Sequence, residues 1–213
     1  MKITKFGQCC LLIEVNGKRV LTDPGRFSVS QNTVTDIDLI LITHEHADHI
    51  HSASLQAILE NNPKAQVVTN SGVARVLTEL GISHEILEGA AHGEISGIAL
   101  EAYDGKHAEI FEEYGQVQNT GYFIANQLFY PGDAYNEPKK DVPVLALPVA
   151  GPWCKSADAI AYALRVKPQK AFPVHDWLLN DDGVALVYGL FESQLKNHDI
   201  EFVRLGNDET KEF

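Results

Sequence analysis

Five ionisable side chains fall within six positions of the run Thr43-His44-Glu45-His46-Ala47-Asp48-His49. In extended chain, residues two apart project to the same side about 6.5 Å apart. Two imidazoles can converge from there on one ion at about 2.0–2.1 Å each, so His44 and His46 can share a metal. Where the chain then turns, Asp48 and His49 face another way and can hold a second ion about 3.5–4 Å from the first. Chance produces His-x-His-x-Asp-His about once in a thousand chains of this composition, a small false-positive risk for a motif. The competing reading is a polar loop of solvated histidines. So many ionisable groups directly after an apolar strand are costly without a partner, which favours the metal.

Two ions need more than four ligands, and three further candidates stand at comparable strand ends. His107 follows Asp104-Gly105-Lys106, Asp133 closes Tyr130-Pro131-Gly132-Asp133, and His175 lies in Pro173-Val174-His175-Asp176. A carboxylate can bridge two cations through its two oxygens, and Asp133 is the only carboxylate of the three.

The elements that must present these residues are legible around them. Cys10–Val15 and Lys18–Thr22 flank Asn16-Gly17, the strongest short hairpin signal, and stop at Asp23-Pro24-Gly25. Residues 120–125 and 128–130 flank Asn126-Gln127 and stop at Pro131-Gly132-Asp133. An apolar run follows each hairpin, at 39–42 and 142–147, so a strand–turn–strand–Asp unit is used twice. Further strands are predicted at 66–69, 98–103, 171–174 and 202–205. Helical spacing predicts a helix over 52–61 and one through Val73, Val76, Leu77 and Leu80 with Ser71 as N-cap and Gly81 as stop. It predicts two more, through Ala157, Ile160, Ala161 and Leu164 and through Val184, Val187, Phe191 and Leu195. Strands and helices intermix, which fits an α/β (α+β) protein with two sheets covered by helices. No Pro/Gly/Ser-rich linker divides residues 1–213, which read as one domain with two similar halves. The polar tail, 207–213, is expected to fray.

Composition narrows the function classes. The 213 residues are 45% hydrophobic and 22% charged, an ordinary globular balance. Seventeen Lys and Arg against 29 Asp and Glu give a net charge of −12, which disfavours nucleic acid and anionic membranes as partners. No segment reaches the roughly 18 apolar residues of a membrane span, and the first residues carry no signal-peptide pattern. Three cysteines, two of them adjacent at Cys9 and Cys10, make a poor disulfide framework. The expected location is the cytoplasm and the expected partner a small-molecule substrate; nothing points to a particular oligomeric state.

The motifs together resemble the metallo-β-lactamase superfamily. Thr-His-x-His-x-Asp-His at 43–49 is its signature, and the later Gly-x-His, Pro-Gly-Asp and Pro-Val-His elements resemble its remaining ligand motifs in order. Lys2-Ile3-Thr4-Lys5-Phe6-Gly7 and Arg19-Val20-Leu21-Thr22-Asp23-Pro24 resemble the branch that includes ascorbate-6-phosphate lactonase. The resemblance covers residues 1 to about 175. It implies a four-layer αβ/βα sandwich with the metal site at the strand ends of both sheets. It implies a first metal on His44, His46 and His107 and a second on Asp48, His49 and His175. Asp133 would bridge them, and Asp23 would sit behind the ligands. Lys106-His107-Ala108 departs from the Gly-His-Thr/Ser-Pro-Gly pattern of glyoxalase-type and β-lactam-cleaving members, and His46 departs from the Glu of flavodiiron relatives.

The expected function is a dinuclear metal-dependent hydrolase that uses a metal-bridging hydroxide on a small ester, lactone, amide or phosphoester. The two divalent ions are expected to be zinc, with manganese or iron also suited to His/Asp ligands. Asp48 could orient the hydroxide as well as ligate, which makes it the candidate catalytic residue. The alternatives are a metal-dependent nuclease or phosphodiesterase and a non-catalytic metal-binding module. Trp153, Trp177 and Tyr135 read equally as pocket wall or as core. Lys155, Lys106 and Arg26 are candidates for an anionic substrate group, though each reads more simply as a solvated cation. His51, His84, His92 and His198, the three cysteines, and Glu109, Glu112 and Glu113 carry no ligand pattern.

Overall fold

A computed structural model describes residues 1–213. Six strands and two helices form the first half: β1 (Lys2–Gly7), β2 (Cys10–Val15), β3 (Lys18–Thr22), β4 (Leu39–Leu41), α1 (Ser52–Asn61), β5 (Gln66–Thr69), α2 (Ser71–Glu79) and β6 (Glu85–Ile86). The remainder runs β7 (His92–Ile95), β8 (Ile98–Lys106), β9 (Gln118–Ile124), β10 (Leu128–Tyr130), β11 (Val144–Pro148), α3 (Ser156–Val166), β12 (Lys170–Val174), α4 (Asp181–Lys196), β13 (Glu201–Phe202) and β14 (Glu209–Glu212). Two seven-stranded sheets result, in the orders β14-β1-β2-β3-β4-β5-β6 and β13-β12-β11-β10-β9-β8-β7.

Strand alternation sorts the apolar side chains into three cores. From β2, Leu11, Ile13 and Val15 point between the sheets while Cys10 and Leu12 point outward. From β4, Leu39 and Leu41 face the other sheet and Ile40 faces Leu55, Ile58, Val73 and Leu77 of α1 and α2. The second sheet mirrors this: Val144 and Ala146 of β11 face inward, and Leu145 and Leu147 pack on Ala159, Tyr162, Phe191 and Leu195 of α3 and α4. Helices, sheet, sheet, helices is the four-layer αβ/βα sandwich that the resemblance implies. Because β4 and β11 are covered on both faces, their sequences are continuous apolar runs rather than alternating ones.

The β2–β3 turn is the two-residue Asn16-Gly17 loop, with both residues at positive φ and Val15 paired to Lys18. Three expectations are corrected. The N-cap of α2 is Asn70, whose side chain accepts from Val73 N, so Ser71 is the first helical residue. The tail does not fray: β14 pairs antiparallel with β1, with Lys2 opposite Glu212 and Lys5 opposite Glu209, because β1 would otherwise leave an unpaired edge. The predicted strand at 202–205 shortens to Glu201–Phe202, with Leu205 buried in the core between the sheets. Two short outer strands, β6 and β7, were not anticipated; their residues are largely exposed and carry little apolar pattern.

Candidate metal centre

Every one of the seven candidate ligands lies just beyond a strand end. His44, His46, Asp48 and His49 follow β4, His107 follows β8, Asp133 follows β10 and His175 follows β12. Parallel neighbours β3, β4 and β5 of one sheet and β10, β11 and β12 of the other all end at this edge of the sandwich. The ligand atoms of His44, His46 and His107 lie within 4.8 Å of one another, and so do those of Asp48, His49, Asp133 and His175. Asp133 joins the two groups: its Oδ2 is 3.2 Å from His107 Nε2 and 2.9 Å from His175 Nε2, and its Oδ1 is 3.1 Å from His49 Nε2. The structure thus brings together all seven residues that the sequence singled out.

The groups behind the ligands decide which imidazole nitrogen faces inward. His107 Nδ1 donates to the Ala108 carbonyl at 2.6 Å, and His175 Nδ1 donates to the Ala150 carbonyl at 2.7 Å. His49 Nδ1 donates to Asp23 Oδ2 at 2.7 Å. Thr43 Oγ1 donates to the same Asp23 oxygen at 2.8 Å and accepts from His44 Nδ1 at 3.0 Å. In all four rings Nδ1 is engaged behind the ligands, so Nε2 is the nitrogen that faces the centre and can bind a metal once it carries no proton. Asp23 is itself fixed by Thr43 N at 2.8 Å and the Tyr130 hydroxyl at 2.6 Å.

Tight turns carry these residues. Gly132 sits at φ +64, and a Cβ there would lie 2.3 Å from Asn119 Oδ1, which accepts from Asp133 N at 2.9 Å. At Gly25 a Cβ would lie 1.8 Å from the Asp48 carbonyl oxygen, so only glycine lets the two loops touch.

Electrostatics match a cation centre. Burial pushes the His44 imidazole well below its ordinary pKa, with help from His49, so it is a neutral ligand. Burial opposes the charged form of Asp133, yet His175 and His49 outweigh it and hold the carboxyl well below the usual range. Burial also opposes the His49 imidazolium, but Asp133 and Asp23 raise it well above the ordinary value. The residues fit a metal on a further observation: His44 Nε2 is buried with no hydrogen-bond partner, and His49 Nε2 and Asp133 Oδ1, buried and 3.1 Å apart, make no hydrogen bond to each other or to any other group. Buried polar atoms are otherwise almost always satisfied, and three left without a hydrogen bond across the two adjacent ligand groups mark a place for cations.

Sequence reading missed Gln8. Its Nε2 donates to Asp48 Oδ2 at 2.9 Å, its Oε1 accepts from Trp177 N at 3.0 Å, and its carbonyl accepts from His175 N at 3.1 Å. One residue of the β1–β2 turn thus grips two candidate ligands of the second group, which nothing in its neighbourhood of sequence signals. Trp153 is neither open pocket wall nor plain core: it is buried and its Nε1 donates to Asp133 Oδ2 at 3.0 Å. Tyr135 packs on Trp153 and Tyr162, on the core side. Trp177 is half exposed and stacks on Phe27. Cys9 and Cys10 are buried and face different cores, and no disulfide forms.

Residues 2–175 match the family described as the beta-lactamase superfamily domain. The chain belongs to this superfamily. Among relatives, it is 34% identical to Protein Rv0786c of Mycobacterium tuberculosis over 194 residues, covering 89% of this chain and 90% of that one. It is 27% identical over 192 residues to the UPF0173 metal-dependent hydrolase Ta0764 of Thermoplasma acidophilum, covering 82% and 83%. Igni18, a novel metallo hydrolase of Ignicoccus hospitalis, superposes with a TM-score of 0.77 at 20% identity over 100% of this chain and 98% of that one, a likeness of fold. Superfamily membership agrees with the resemblance drawn from the motif at 43–49. The matched span ends at His175, so it includes all seven candidate ligands.

Proposed function

We propose that the chain is a dinuclear metal-dependent hydrolase acting on a small ester, lactone, amide or phosphoester. The observation that carries this reading is the pair of adjacent His/Asp groups joined at Asp133, with His44 Nε2, His49 Nε2 and Asp133 Oδ1 buried without a hydrogen bond. His44, His46 and His107 would hold one ion, Asp48, His49 and His175 the other, and Asp133 both. Divalent ions so held supply Lewis acidity, which polarises a substrate oxygen and brings the pKa of water down to about 7. Zinc suits these ligands, as do manganese and iron.

Asp48 is the candidate catalytic residue. Its Oδ2 is taken by Gln8 Nε2 at 2.9 Å and lies 3.5 Å from both His49 Nε2 and His175 Nε2. Oδ1 therefore remains to accept a hydrogen bond from an attacking water or hydroxide and so orient it. The carboxyl is suited to that task as an anion: burial opposes its charge, but the His175 and His49 imidazoles beside it hold its pKa far below the usual range. Asp23, with its four hydrogen bonds, keeps the His49 ring from turning. Trp153 Nε1 steadies Asp133 and screens it from water.

Protein purified without added metal and analysed by mass spectrometry should carry two divalent ions per chain. His46→Ala should lose the ion of its group and cut turnover of a phosphodiester, lactone or aryl ester at least about a thousandfold, in line with removal of a metal or catalytic group. Full metal content and full turnover in that variant would sink the assignment.

A further inference from the structure

A cleft of about 430 Å³ opens directly on His46 and Asp48, the two half-buried members of the centre. Two loops wall it. Arg26 and Phe27 come from the segment after β3, and Ile110 and Tyr114 come from the segment between β8 and β9. Its volume suits a small molecule rather than a chain segment.

The walls differ in chemistry. Phe27 is braced from behind: its ring stacks on Trp177 with centroids 3.8 Å apart and planes within 6°. Trp177 N is in turn held by Gln8 Oε1, so the stack is anchored to the residue that grips Asp48. Opposite it, Tyr114 is 73% exposed and Ile110 is part-buried, although the intervening turn is closed by Tyr114 N donating to Phe111 O. Apolar surface left open beside a polar centre marks a binding site rather than a fold requirement. Arg26 is the one cation of the lining, its guanidinium 4.9 Å from the centre of the Phe27 ring. Unlike Arg19, Arg165 and Arg204, it makes no ion pair within the chain. In a protein with 12 excess negative charges, a cation free of carboxylates at such a cleft is placed for an external anion.

We propose that the cleft selects a small hydrolysable compound with a ring-sized apolar arm, seated between Phe27 and the Ile110–Tyr114 loop, and a separate anionic group paired with Arg26. This deepens the hydrolase reading and rests on it for the bond broken, with the acyl or phosphoryl carbon or phosphorus placed at His46 and Asp48. Placing one arm in an apolar slot and one charge on a fixed cation fixes the reacting bond in two directions.

Three methyl esters, followed by acid release with a pH indicator, test it on the metal-loaded protein: of hydrocinnamate (ring, no charge), of hydrogen succinate (charge, no ring) and of phenylsuccinate (both). In parallel, phenylsuccinate and succinate are titrated against the fluorescence of a Trp153→Phe variant, which reports on Trp177 without turnover. The phenylsuccinate ester should show the highest kcat/KM, by about tenfold over each of the others. Arg26→Met should lower kcat/KM for the two charged esters about tenfold more than for hydrocinnamate. Phe27→Ala should lower it about tenfold more for the two ring-bearing esters than for succinate, and Phe27→Leu, which keeps the fold's apolar contact, should show the same order. Phenylsuccinate should bind about tenfold more tightly than succinate. Equal rates on all three esters, with both variants indifferent, would overturn the slot while leaving the hydrolase reading intact. Selective binding of phenylsuccinate with no ester, lactone or phosphodiester turned over would overturn the hydrolase reading and leave the slot standing.

Discussion

Asp48 and His175 come from opposite sheets, yet a single amide side chain spans them. Gln8 lies at φ +49 in the turn after β1, a conformation rare outside glycine, asparagine and aspartate, and strain of that kind collects where a side chain must point in one direction. Its donor meets Asp48 and its acceptor and carbonyl meet the backbone of the loop that carries His175. Groups that orient metal ligands typically contribute about 10–100-fold in affinity. Gln8→Ala should therefore weaken binding at the Asp48–His49–His175 group by that factor and leave the His44–His46–His107 group at full affinity. Cobalt titration followed by absorbance resolves the two sites; equal weakening of both would mean that Gln8 serves the fold and not the centre. Asp23 acts in the same way on His49, and the two carboxylates Asp23 and Asp133 show how one residue type takes two roles. Asp133 Oδ1 is left without a hydrogen bond, whereas Asp23 accepts four hydrogen bonds and has no capacity left for a cation.

Those two aspartates occupy matching places among the elements. From β1 the neighbour pairings run antiparallel, antiparallel, then parallel three times, and from β8 they run the same way. Asp23 ends the third strand of one series and Asp133 the third strand of the other. This correspondence explains why the seven ligand candidates were legible in sequence: each stands after an apolar run that ends in a turn, and strand ends on a parallel sheet share one edge. What was not legible were contacts between those ends. Nothing local to Gln8 or Trp153 signals a partner 40 or 20 residues away. The tail was misjudged because its alternation of Glu209, Thr210, Lys211 and Glu212 is polar on both faces, and only the open edge of β1 makes it a strand. Lys5 of β1 shows the same dependence on tertiary partners. It is fully buried, 2.5 Å from Asp176 Oδ2, and the Tyr188 hydroxyl of α4 donates to that same oxygen. The pair ties β1 and α4 to the loop of His175. Lys5→Ala should destabilise the protein by about 3–5 kcal/mol in urea unfolding, because it leaves Asp176 buried without its counter-charge. Lys5→Met with Asp176→Leu should recover most of that loss, and failure to recover would show that the charges themselves position the loop.

At the scale of the whole molecule the proposed centre should make stability depend on metal and on pH together. Ions that bind only the folded chain stabilise it in proportion to the logarithm of their concentration over Kd, so chelation should lower Tm. The sign of the pH effect follows from His175. Burial opposes its imidazolium, but Asp133 and Asp48 outweigh burial and raise its pKa to about 9 in the metal-free protein, from an ordinary 6.5. A raised imidazole stabilises the metal-free fold fully below pH about 6.5, and that contribution is lost as pH climbs through about 9. Metal binding must displace the same proton, so affinity increases over the same interval. In the metal-loaded protein the two effects offset each other while the chelated protein loses stability, so the Tm difference between metal-loaded and chelated protein should widen steadily from pH 6.5 to 9. Scanning fluorimetry with matched buffers measures it directly. His175→Asn should flatten the pH dependence while lowering the metal-loaded Tm, since it removes both the proton and the ligand. A wild-type difference that stays constant across the interval would mean that His175 carries no proton for the metal to displace, and that the ligand atoms are already arranged as a metal would find them.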